Sequence, residues 1–129
     1  MKKLILAIAI FSQSVALANS CPDLKGDYYC LVGPENLTIL TVNQWTQENN
    51  ADVMNYSFKY KFIDGQADVV QASQAGISDS EGWTTYCRPN RLVSIMNGGS
   101  YRSDFFLDNK HLLRIENGRM AMDCSLKAQ

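Results

Sequence analysis

From Asp27 to Leu126, apolar and polar residues alternate in short runs, and each run ends in Gly, Asn, Asp or Pro. Such punctuation predicts strands joined by tight turns. The clearest run is Val53 to Ile63, where Met54, Tyr56, Phe58, Tyr60 and Phe62 alternate with Asn55, Ser57, Lys59 and Lys61. A period of two with one apolar side describes a strand with one buried and one wet face. The pattern predicts further strands over 27–32, 37–45, 66–74, 83–88, 92–96, 101–107, 112–116 and 120–126. Turn signals separate them at Gly33-Pro34-Glu35-Asn36, Asp64-Gly65, Pro89-Asn90, Asn97-Gly98-Gly99, Asp108-Asn109-Lys110 and Asn117-Gly118. Polar stretches run up to Asp52 and from Ala75 to Gly82.

No interval is long enough for a crossover helix, so about eight or nine strands should form an antiparallel up-and-down meander. Closing into a small barrel removes the exposed edges of such a meander. Two packed sheets are the flatter alternative. The fold class expected is therefore all-β.

The first residues read differently. Lys2-Lys3 is followed by the apolar run Leu4 to Phe11, then Ala16-Leu17-Ala18, the pattern of a secretory signal peptide over 1–18. Residues 19–129 then form one domain, and an exported, periplasmic or secreted, destination follows. The short Lys-Lys start suggests a bacterial source. Lipid attachment at Cys21 would be the rival processing route. It is disfavoured because it leaves Cys30, Cys87 and Cys124 as an odd set in an oxidising compartment, whereas all four cysteines make two bridges. Counting by twos puts Cys87 on the face of Trp83 and Thr85, and Cys124 on that of Met120, Met122 and Leu126. Both then point inward, which favours Cys87 with Cys124 and Cys21 with Cys30 among the three possible pairings.

The chain has 12 basic and 13 acidic residues. Loss of Lys2 and Lys3 leaves ten against thirteen, a net charge of -3 with the basic residues scattered. No basic stripe exists to neutralise phosphates, so nucleic acid is not the expected partner. No stable membrane anchor is expected, and a monomer is.

Little in the chain points to catalysis. His111 is the only histidine and stands beside a turn, which reads as a surface residue at a strand start. The cysteines lack paired metal-ligand spacing, and Asp79-Ser80-Glu81 lacks the alternating carboxylates of a calcium loop. No cofactor is expected, and Gly98-Gly99 reads as hairpin chemistry, with no helix behind it to hold a phosphate. Asn36-Leu37-Thr38 and Asn55-Tyr56-Ser57 match glycosylation sequons, the second in mid-strand. The aromatics remain: Tyr28, Trp45, Tyr56, Phe58, Tyr60, Trp83 and Tyr86 are the candidate ligand-binding residues, with most serving as core.

The opening Cys21-Pro22-Asp23-Leu24-Lys25-Gly26-Asp27-Tyr28, followed by a meander with a Cys on its last strand, resembles lipocalin-type barrels. Tyr28 replaces the family's Trp after Gly-x, and Arg114 or Arg119 would supply its basic residue near the last strand. The resemblance implies a non-enzymatic barrel that binds a small apolar or amphipathic ligand. The other reading is a protein-binding envelope factor, such as an inhibitor of a secreted hydrolase, working through its surface. An apolar cavity opening beside Ala75 to Gly82 would favour the first reading, and a filled barrel with an exposed patch the second.

Overall fold

The computed structural model describes residues 21–31, 37–61 and 67–127. The signal segment, the Asp64-Gly65 turn, Phe62 and Asn36 lie outside them. Among the described residues ten strands form: β1 (Gly26–Leu31), β2 (Leu37–Gln47), β3 (Asn50–Tyr60), β4 (Asp68–Ala72), β5 (Ile77–Ser78), β6 (Trp83–Arg88), β7 (Arg91–Met96), β8 (Tyr101–Asp108), β9 (His111–Glu116) and β10 (Arg119–Leu126). Nine match the predicted runs. The tenth, β5, is two residues inside the predicted polar loop, paired with Thr84 and Thr85. β3 begins at Asn50 because Asn49 takes a positive φ of 69°, which closes a tight hairpin where a longer loop was expected.

The strands form one antiparallel sheet in the order β4-β3-β2-β1-β10-β9-β8-β7-β6-β5. First and last strands pair, with Tyr28 opposite Leu126 and Cys30 opposite Cys124. The two free edges meet on the other side, where a bridge joins Ser73 to Tyr86 and Cys87 N donates to Ser73 O at 2.8 Å. The result is a nearly closed barrel. At that seam Gly76 has φ +96°, and a Cβ there would stand 2.6 Å from the Tyr86 ring. Only glycine allows the chain to turn so close to β6.

Two disulfides link the wall, Cys21 with Cys87 and Cys30 with Cys124. This corrects the expected pairing of Cys21 with Cys30 and Cys87 with Cys124. Cys87 and Cys124 do face inward, at 1% and 0% exposure. However, closure sets β1 beside β10, so Cys124 meets its own register partner Cys30. The segment before β1 crosses the barrel floor to β6 and does not fold back on β1.

That segment plugs one end of the barrel. Leu24 is 1% exposed, and its N–H donates to Gln44 Oε1 at 2.7 Å. Tyr56 donates its hydroxyl to Pro22 O at 2.7 Å, and Tyr28 donates to Leu24 O at 2.8 Å. Burial, with the Asp23 carboxylate adding to it, pushes the Tyr28 hydroxyl up to about 12 and raises that of Tyr56 further. Both therefore stay protonated donors to buried carbonyls, which would otherwise be left unpaired.

Candidate functional site

Strand register sorts every side chain to the lumen or the outer wall, because residues opposite each other on a ladder share a face. In the lumen above the plug, side chains from opposite walls touch. Phe58 of β3 stacks on Phe105 of β8 with centroids 4.9 Å apart, and the Tyr60 hydroxyl lies 3.0 Å from Met122 Sδ. Thr85 and Ser94 hydroxyls are 2.9 Å apart, Arg114 Nε donates to Ser103 Oγ at 3.2 Å, and Arg114 pairs with Glu116. Among the described residues, the Phe58–Phe105 and Tyr60–Met122 contacts cross the lumen, while the polar contacts run along its wall between neighbouring strands. Burial raises the Tyr60 hydroxyl, nearby Arg114 opposes that, and Asp68 adds to it.

The upper end, opposite the plug, carries Trp83 and Tyr101 in an edge-to-face pair at 5.7 Å, with Tyr101 reaching Glu116 at 3.3 Å. Of the seven aromatic candidates, Tyr28 and Tyr56 belong to the plug and Phe58 to the mid-lumen. Tyr60 and Trp83 lie towards the upper end. Trp45 and Tyr86 face outward, opposite Asn55 and Val93. Arg114 and Arg119 lie towards the upper end, away from Tyr28, which pairs with Leu126 at the other end of β10. Phe105 and Glu116 were not among the candidates, and Arg114 entered only as the basic residue that the resemblance implies. Their signal was the alternation Tyr101, Ser103, Phe105 and Leu112, Arg114, Glu116, in which polar side chains occupy the inward positions.

The outer wall is not uniform. Across β2 and β3 most of its positions are polar, Thr41, Asn43, Asn55, Ser57 and Lys59, with Ile39 and Trp45 the apolar ones on β2. Asn55 is only 4% exposed and is tied to Gln47 and Gln71, so its sequon is covered. Across β6 to β9 the outward positions include the apolar or aromatic Tyr86, Val93, Ile95, Phe106, Leu113 and Ile115, among Thr84, Arg88, Arg91, Arg102 and Asp104. A wall with one solvated side should carry mostly polar residues there. Val93 is 5% exposed.

Asp104 stands at the centre of this wall, 5% exposed. Arg91 Nη1 donates to it at 2.8 Å, and Arg102 donates through Nε at 2.8 Å and Nη2 at 3.0 Å. Burial acts to raise its carboxyl, but hydrogen bonds from Arg102 and Arg91 outweigh this and hold it below the usual range. A depressed carboxyl stabilises the fold above its unfolded value and loses that contribution as pH falls through its folded one. Asp104→Asn should therefore cost about 1–2 kcal/mol at neutral pH, after discounting for the exposed arginines. Urea unfolding at successive pH values checks this: the difference between variant and parent should shrink on acidification.

A second outward feature is a cleft of about 500 Å3 over β10, β1 and β2, lined among others by Tyr29, Leu31, Leu37 and Met120. His111 and Asp123 pair at its edge, Nδ1 to Oδ1, at 2.7 Å. Asp79, in the loop considered for calcium, accepts from the N–H groups of Glu81 and Trp83 at 2.9 and 3.0 Å, a turn-stabilising role. Comparison of the chain with protein-family models, with curated proteins and with solved structures finds no match.

Proposed function

We propose that this is an exported, non-enzymatic protein-binding factor that meets its partner through the outer wall of β6 to β9. The observation that carries this reading is the run of apolar outward positions at Val93, Ile95, Phe106, Leu113 and Ile115. Apolar residues on both faces of a sheet serve when each face is covered, and aromatic, aliphatic and Arg side chains are typical of interface centres. The cross-lumen contacts of Phe58 with Phe105 and Tyr60 with Met122 leave the ligand-carrier reading less interior to use. The two disulfides suit the oxidising compartment that export implies.

The test is site-specific photocrosslinking of the full chain in envelope extract, with the reactive residue at Ile95 on the wall or at Tyr101 at the upper end. A discrete protein adduct from Ile95 and none from Tyr101 is expected. Adducts from Tyr101 alone would overturn the reading.

One observation favours a small-ligand reading as well. Thr38 Oγ1 faces the lumen, is buried, and has no hydrogen-bond partner among the described residues. Arg114 and Glu116 side chains are also 36% and 26% exposed towards the upper end. An amphipathic ligand would then sit there, its polar group on Arg114 and its apolar part against Trp83 and Tyr101. This is the form the lipocalin-like proposal now takes.

A further inference from the structure

Resting on the proposed protein-binding role of the β6 to β9 wall, we infer that the partner presents an acidic surface, read by Arg88, Arg91 and Arg102. These arginines surround the apolar strip. Arg88 and Arg91 are register partners on β6 and β7, and Arg102 stands opposite Ile95. One carboxylate, Asp104, lies beneath two of them. The next outward one on β8, Asp108, lies at the strand's end, opposite His111. Among the described residues, Arg88 has no carboxylate within ion-pair distance. The wall thus carries three arginines against one buried carboxylate, on a chain whose net charge is negative.

The guanidinium groups are held in place before any partner arrives. Arg88 lies 5.0 Å from the Tyr86 ring centroid and donates through Nη1 to Gln74 O at 3.1 Å and Cys87 O at 2.9 Å. Arg91 lies 4.6 Å over Phe106 while bonded to Asp104. Arg102 is fixed by its two-pronged contact with Asp104 yet is 54% exposed. A guanidinium has five N–H donors in a fixed fork, so each keeps donors for a second, external acceptor. Side chains already ordered lose less entropy on binding. Planar forks around an apolar centre match carboxylates around an apolar patch, which selects an Asp- and Glu-bearing protein surface.

The experiment uses a synthetic peptide alternating Glu and Leu, with a Gln and Leu peptide as neutral control, titrated against the full chain. Arg88→Glu leaves both Asp104 partners in place. A second variant, Arg91→Gln with Arg102→Gln and Asp104→Asn, removes the carboxylate together with its partners, and thermal unfolding verifies that each variant folds. Each should weaken the acidic peptide about tenfold or more, and binding should fall with added salt. Equal binding of the acidic and neutral peptides, both crosslinking at Ile95, would overturn the acidic partner while leaving the wall reading intact. Crosslinking of neither peptide at Ile95 would overturn both. Vesicles containing phosphatidylglycerol that bind in an Arg88-dependent way, when the acidic peptide does not, would overturn a protein partner in favour of a membrane surface.

Discussion

Replacing Cys30 and Cys124 together by alanine should lower the unfolding free energy by about 4 kcal/mol, read from urea denaturation. These cysteines are opposite each other on β1 and β10, the pair that joins the chain's first strand to its last. They are 94 residues apart, and with Cys21–Cys87 intact the loop they close is shorter but still long. The denatured chain therefore gains much freedom when the bridge is lost. Both side chains are also fully buried, so alanine leaves a small void between Tyr28, Leu112 and their neighbours. A loss no larger than that of a surface substitution would mean that the β1–β10 junction does not depend on the bridge.

Leu24→Ala should cost about 2–4 kcal/mol, because it empties the centre of the plug. Leu24 is 1% exposed and belongs to the core cluster with Tyr28, Tyr56 and Leu92. Its backbone also anchors that end of the barrel: its N–H reaches Gln44 and its carbonyl accepts the Tyr28 hydroxyl. Thermal unfolding against Lys25→Ala, an exposed neighbour, gives the comparison, and the neighbour should be close to neutral. A Leu24 variant as stable as the Lys25 one would contradict the plugged barrel.

The strands were legible in the sequence because a meander depends on local signals. Tyr56, Phe58 and Tyr60 alternate with polar residues along β3, and Asn117-Gly118 marks its own turn. The pairing of the ends was not legible. Counting by twos identifies the face of Cys124 but not which strand lies beside it, and β1 against β10 is a contact between opposite ends of the chain. β5 escaped notice because two residues show no periodicity, and β3 began early because Asn49 adopts a conformation that composition alone does not announce.

The site was harder still to read. Aromatic residues were chosen by type, and register then divided them: Tyr28 and Tyr56 cap the plug with hydroxyl bonds, while Trp45 and Tyr86 are outside. The unusual wall was visible only as Val93, Ile95, Leu113 and Ile115, ordinary strand residues whose meaning depends on which face they take. Asp104 is a further case. A lone Asp between Ser103 and Phe105 gives no hint that two arginines converge on it.

The proposed binding surface is the wall and not the lumen. The most direct measurement is tryptophan fluorescence of the full chain during titration with a long-chain fatty acid, with Trp45→Phe isolating the signal of Trp83 at the upper end. Binding on the wall should leave Trp83 emission without any saturable change. Stoichiometric, saturable quenching of Trp83, relieved by Arg114→Gln, would contradict it and make the barrel a ligand carrier.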